Sequence, residues 1–123
     1  MKYTLKAHER LKSRKSIQEL FQTGKSVKSF PFKLVYTPLE TSSSEIQIQF
    51  TASVSKRLFK SAVDRNRIKR LVREAYRLEK PDLLSSLGAS YAIMIIYISK
   101  KPLTFELSQS AMSKITKEFK KRT

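Results

Sequence analysis

The sequence predicts a small α+β domain: one mostly antiparallel sheet covered by helices, in the order α-β-β-(β)-α-β-α. Three observations predict it. Tyr91 to Ile98 is an unbroken apolar run of strand length, as expected of a central strand buried on both faces. Glu45-Ile46-Gln47-Ile48-Gln49-Phe50 alternates with period two, as a half-buried strand does. From Ala62 to Leu78 the apolar residues instead recur with helical spacing. A chain of 123 residues with 40% hydrophobic content suits one domain over residues 1–123.

Residues 1–12 are basic and poor in apolar groups, and are expected to be loosely ordered. A short helix follows. Ser16-Ile17-Gln18-Glu19 reads as a capping box, with Ser13 a rival start, and Gly24 is a natural terminator. Ile17, Leu20 and Phe21 form its one apolar stripe, enough to dock it but not to sustain it alone. Phe30 to Thr37, rich in aromatic and β-branched residues, predicts a strand ending at Pro38. Residues 39–44 form a polar loop and read as a hairpin connection to the alternating strand, which extends or bends through Val54.

The long helix is expected from Ala62 to Leu78, with Pro81 marking its end. A turn containing Gly88 leads to the apolar strand, which Pro102 closes. A last helix over residues 104–120 turns Phe105, Ala111, Met112, Ile115 and Phe119 inward. Residues 120–123 are expected to fray.

Charge carries the functional information. The net charge is +16 and the pI about 10.3. Cations crowd residues 1–33, 56–80 and 100–122 and are absent from Leu34 to Ser55. That layout suits a sheet core carrying basic elements rather than a disordered basic tail. On a helical wheel Ile68, Leu71, Val72 and Ala75 share one arc, with Leu78 at its edge. Arg65, Asn66, Lys69, Arg70, Arg73 and Arg77 spread over the opposite half, with Arg67 on its flank. A merely solvated face mixes signs to gain i,i+4 pairs. Lys56 to Lys80 instead holds ten Lys/Arg against three acids, which points to a polyanion, most simply a nucleic-acid backbone. Asn66 is either a donor to phosphate or a 2′-hydroxyl, or a helix-start residue bonded locally.

Most of the aromatics Phe21, Phe30, Phe32, Tyr36 and Phe50 should be core. One or two exposed on a sheet face could stack unpaired bases. Catalytic machinery is hard to assemble from these residues. There is no cysteine, one histidine (His8), two glycines and only scattered acids. No segment approaches the roughly 20 apolar residues of a membrane span, and the first residues lack a secretion signal's apolar stretch. A cytoplasmic protein that binds no membrane is expected.

Ser53-Val54-Ser55-Lys56, then Ala62-Val63-Asp64-Arg65-Asn66-Arg67-Ile68-Lys69-Arg70-Leu71-Val72-Arg73-Glu74-Ala75, closely resembles the protein subunit of bacterial ribonuclease P. Weaker correspondences extend over the whole chain. The resemblance implies a left-handed βαβ crossover through the basic helix. It implies a protein that binds a catalytic RNA and the 5′ leader of precursor tRNA, assisting leader removal. Catalysis would come from the RNA with its Mg²⁺, with no cofactor held by protein side chains. The motif's RNA-binding positions fall on Arg65, Asn66, Arg67, Lys69, Arg70, Arg73 and Arg77, with Lys56 and Arg57 beside them. The leader cleft falls on Phe21, Phe32 and Tyr36, and on Ile17, where the family usually carries Phe. Arg57 to Ser61 is longer than the family's loop there and lacks its glycine. A ribosomal or architectural RNA-binding protein is the alternative from composition.

Overall fold

The computed structural model describes residues 22, 24–39 and 46–123. The predicted first helix, with Ile17 and Phe21, lies outside the described residues, as do residues 1–12. Four strands form one mixed sheet: β1 (Lys25–Ser29), β2 (Phe32–Pro38), β3 (Ile48–Val54) and β4 (Tyr91–Tyr97), in the order β1-β2-β4-β3. Two helices complete the described fold, α1 (Ala62–Ser86) and α2 (Phe105–Arg122). The pairs β1–β2 and β2–β4 are antiparallel. The pair β3–β4 is parallel, so α1 is the crossover between parallel neighbours.

β4 is central, as its apolar run predicts. Ile93, Ile95 and Tyr97 are buried on one face, Ala92 and Met94 on the other. The hairpin expected at residues 39–44 is a correction: β4 lies between β2 and β3. The true hairpin joins β1 to β2 through Phe30 and Pro31. β1 escapes sequence reading because an edge strand needs little apolar surface, and its only large apolar residue is Val27. β3 starts at Ile48, leaving Ile46 exposed, and runs in register to Val54, which faces Tyr97.

One sheet face carries the main core. Phe32, Leu34 and Tyr36 of β2, Ile48, Phe50, Ala52 and Val54 of β3, and the odd-numbered residues of β4 point toward both helices. α1 packs over β3, and α2 over β1 and β2. The Ser108 hydroxyl donates to the Leu71 carbonyl at 3.0 Å, and Lys120 pairs with Asp82 at 2.5 Å. Both contacts advance along the two helices together, so α1 and α2 run side by side in the same direction. The buried Ser108 and Ala111 keep the contact close. Phe105, predicted inward, is 39% exposed in the first turn; Ser108 and Thr116 take inward places instead.

α1 passes through Pro81 and ends only at Ser86, another correction. The proline leaves the Arg77 carbonyl without its helical donor. Burial of Leu83 and Leu87, with Leu84 packed against the core, holds the last turns in place. α2 continues through Lys120–Arg122, where the sequence suggests fraying. Phe119 is fully buried against Tyr36 and Tyr91, with ring centroids at 4.9 and 5.4 Å. The cations of this last turn also complement the helix dipole. No helix among the described residues is long and apolar enough to cross a membrane.

Two stability outcomes follow from this packing. Phe119→Ala should cost about 3–5 kcal/mol in chemical denaturation, while Leu78→Ala, on the exposed side of α1, should stay within about 0.5 kcal/mol. Equal losses would contradict the assigned core. Pro81→Ala should raise stability by about 1–3 kcal/mol, because it returns an amide to the Arg77 carbonyl. An unchanged or lowered denaturation midpoint would mean that the helix does not continue through residue 81.

Candidate nucleic-acid interface

α1 begins where its sequence allows. The Ser61 hydroxyl accepts from the Asp64 amide at 3.5 Å, and Asp64 places an acid in the first turn. Ser61 is therefore the cap, and Asn66 lies a full turn inside the helix. The seam is formed by Ile68, Val72, Ala75 and Tyr76, all buried. Tyr76 stacks face to face on Phe50 of β3, with ring centroids 3.9 Å apart and planes parallel. These contacts fix the rotation of the helix about its axis. Asn66, Arg70 and Arg73, spaced i, i+4, i+7, are then turned away from the sheet and exposed. The row spans about 10 Å at the helical rise. Arg67 is exposed on its flank and Lys69 is half-buried on the other side. Arg67, Arg70 and Arg73 form no ion pair with any described residue, so their forks remain available to phosphate.

Two of the predicted arginines are already engaged. Arg65 Nη1 donates to the Phe59 carbonyl at 2.8 Å and to the Lys60 carbonyl at 2.9 Å. It fastens the connection between β3 and α1. Within that connection the Phe59 amide donates to the Ser55 carbonyl at 3.1 Å, and the Arg57 amide to the Ser55 hydroxyl at 3.1 Å. Phe59 packs on the core beside Tyr97. The glycine-free loop is thus a pinned turn that leaves Lys56 and Arg57 exposed at its tip. Arg77 forms a two-point ion pair with Glu74. Its hydrogen bonds hold the Glu74 carboxyl below the usual glutamate range and raise the Arg77 guanidinium further. Much of the Arg77 charge is therefore answered within the helix.

Two of the predicted cleft aromatics are buried. Phe32 is 0% exposed and Tyr36 6%. Both face the helices: Phe32 meets Tyr97 edge-on, and Tyr36 meets Tyr91 and Phe119. Neither offers a ring face to a nucleotide. Ile17 and Phe21 lie outside the described residues. The opposite sheet face has another character. Val35, Ala92 and Met94 form its buried centre, with Ile96 packed against them. Ser26, Lys28, Lys33, Thr51 and Ser53 surround that centre by strand alternation, and Lys28 is exposed. Lys28 and Lys33 are absent from the residues that the sequence singles out. Their signal is the alternation of Phe32, Leu34 and Tyr36, which puts Lys33 across the sheet from them. Among the described residues no three His, Cys, Asp or Glu side chains gather as a metal site would require.

The family model described as Ribonuclease P matches residues 5–121. The ribonuclease P protein component of Chlorobium phaeobacteroides is 36% identical over 124 residues, covering 91% of this chain and 85% of the relative. That of Porphyromonas gingivalis is 36% identical over 115 residues, covering 91% and 83%. Among solved structures, the RNase P protein of Staphylococcus aureus superposes with a TM-score of 0.71 at 26% identity, covering 90% of this chain and 94% of that one. The RNase P protein of Thermotoga maritima shares the fold, with a TM-score of 0.70 at 22% identity over 89% and 96% of the two chains. A basic helix seated on a mixed sheet, and a family match running nearly end to end, lead to one assignment: the chain belongs to the ribonuclease P protein family.

Proposed function

We propose that this protein is the protein subunit of the ribonuclease P ribonucleoprotein. In that role it holds the catalytic RNA through α1 and helps remove the 5′ leader of precursor tRNA. The observation that carries the reading is the exposed row Asn66, Arg70 and Arg73, with Arg67 beside it, on a helix that cannot rotate away. Arginine forks grip phosphate by two hydrogen bonds, and a rigid array presents several without further ordering cost. Lys56 and Arg57 extend the cations past the start of the helix. Family membership disfavours a purely ribosomal or architectural role.

Hydrolysis in this reading belongs to the RNA and to the Mg²⁺ that the RNA-containing holoenzyme requires. The chain, with one histidine, no cysteine and scattered acids, contributes binding alone. A protein of charge +16 set between two polyanions weakens their repulsion, so it lowers the Mg²⁺ needed to bring them together. Precursor binding falls to the sheet face turned away from α1 and α2. The closed packing around Phe32 and Tyr36 supports that choice, as do the lysines Lys28 and Lys33 on the other side. The cytoplasm, where tRNA precursors arise, is the matching compartment.

The protein, mixed with its cognate catalytic RNA at low Mg²⁺, should increase cleavage of precursor tRNA; no increase would refute the function. Arg67→Ala, Arg70→Ala and Arg73→Ala combined should reduce the salt slope of catalytic-RNA binding by about two to three, at roughly 0.9 for each phosphate no longer neutralised, with stability nearly unchanged. Arg65→Ala should show the reverse balance. It should lose about 1–3 kcal/mol of stability as the turn over Phe59 and Lys60 loosens, and change the slope by about one at most. An Arg65→Ala variant as stable as the parent but with a much flatter slope would reassign Arg65 to the RNA.

A further inference from the structure

A second basic surface lies at the far edge of the sheet. Between β1 and α2 runs a groove of about 430 Å³ lined by Ser29, Lys114, Lys117, Glu118, Lys120 and Lys121. Four cations face one acid. Lys120 is tied to Asp82 at 2.5 Å, and Lys121 reaches Glu118 at 3.4 Å. Lys120 and Lys121 also belong to the last turn of α2, where the helix dipole accounts for cations. Lys114 and Lys117 have no such explanation. They sit before that turn, are exposed, and form no ion pair with any described residue. Uncompensated like charges around one concavity disfavour each other until an anion arrives.

The residue after the groove's β1 lining is aromatic. Phe30 follows Ser29 directly and is 70% exposed, the most exposed aromatic among the described residues. Exposed Lys25, on the same side of β1 as Val27 and Ser29, continues the positive charge along this strand. Lysines combined with an exposed ring suit an unpaired strand, whose backbone takes the charges and whose bases stack. The α1 row cannot serve the same stretch of backbone. α1 packs over β3 and α2 over β1 and β2, and β1 and β3 are the opposite edges of the sheet, about 14 Å apart at the usual strand spacing.

We propose that the groove between β1 and α2 is a second RNA-binding surface that takes an unpaired strand, with Lys114, Lys117 and Lys121 on its phosphates and Phe30 stacked on a base. The proposal rests on the chain working within an RNA-containing complex, and it is independent of the α1 contact. The full chain is titrated with a short oligouridylate at several salt concentrations. Lys114→Ala, Lys117→Ala and Lys121→Ala combined should lower the salt slope by about two, at roughly 0.7 for each phosphate held on a single strand. Phe30→Ala should weaken binding about fivefold or more with the slope unchanged. All four side chains are exposed, and matched thermal midpoints verify the fold. A triple variant that keeps the parent's slope, or a Phe30→Ala variant that keeps its affinity, overturns the proposal.

The Arg67/Arg70/Arg73→Ala variant keeps the two readings apart. It should lose catalytic-RNA affinity while retaining groove-dependent oligouridylate binding. If it keeps its catalytic-RNA affinity, the α1 reading fails and the groove stands or falls on the oligouridylate titration alone. The natural strand is assigned by presenting the lysine triple variant with precursors of long and short leader and with the catalytic RNA. Weakening only toward the long-leader precursor places the substrate's leader in the groove rather than on the sheet face turned away from the helices. Weakening toward the catalytic RNA places that partner there, and weakening toward none of them overturns the proposal.

Discussion

The packing of the α1 seam on β3 is the constraint on which the remaining structure depends. Tyr76 lies flat on Phe50, and Ile68, Val72 and Ala75 close the contact on either side. A helix with ten Lys/Arg in and around it is poorly suited to form alone, since like charges at i,i+4 cost a few tenths of a kcal/mol each. A large side chain taken fully out of water contributes about 1.5–3 kcal/mol. Burial therefore outweighs repulsion, and the unfavourable charge density is retained as a surface feature. The same contact sets the rotation of the helix, so Asn66, Arg70 and Arg73 face outward by geometry rather than by chance sampling.

Placement in the sheet carries this further. α1 connects the parallel neighbours β3 and β4, so both of its ends are tied to strands in register. Its entry is pinned by Ser61 and by Arg65 over the Phe59 turn, and its exit by Leu83, Leu87 and the Lys120–Asp82 pair. One arginine thus serves the architecture and another, Arg77, is answered by Glu74. A basic run is not uniformly a binding surface: three of its arginines are open and two are engaged within the fold.

Much of this is legible in the sequence, and the failures have physical causes. The unbroken apolar run identifies β4 as central, and the spacing of α1 reveals its seam. Tyr76 escapes notice because a tyrosine among arginines looks like surface. β1 is invisible because a polar edge strand contributes backbone hydrogen bonds rather than apolar side chains. Pro81 misleads because proline's local penalty is outweighed by three leucines farther along, whose burial is a tertiary fact. Adjacency of β2 and β3 in the chain suggests a hairpin, but a parallel partner reached through a helix cannot be inferred from loop length. Resemblance assigns Phe32 and Tyr36 to a cleft, whereas the period-two alternation alone groups them with Leu34 in the core. The roles of Arg65 and Arg77 depend on which neighbours the fold brings within reach, which composition does not encode.

The chain contains no cysteine, so a single one can be placed without background. An iron chelate tethered at Asn66→Cys or Arg73→Cys in the reconstituted complex measures directly whether the outer face of α1 meets the catalytic RNA. Strand cleavage should be confined to one compact region of that RNA, shared by both positions. Absence of cleavage from both, in complexes that still form and still process precursor tRNA, would show that the RNA is held elsewhere on the protein.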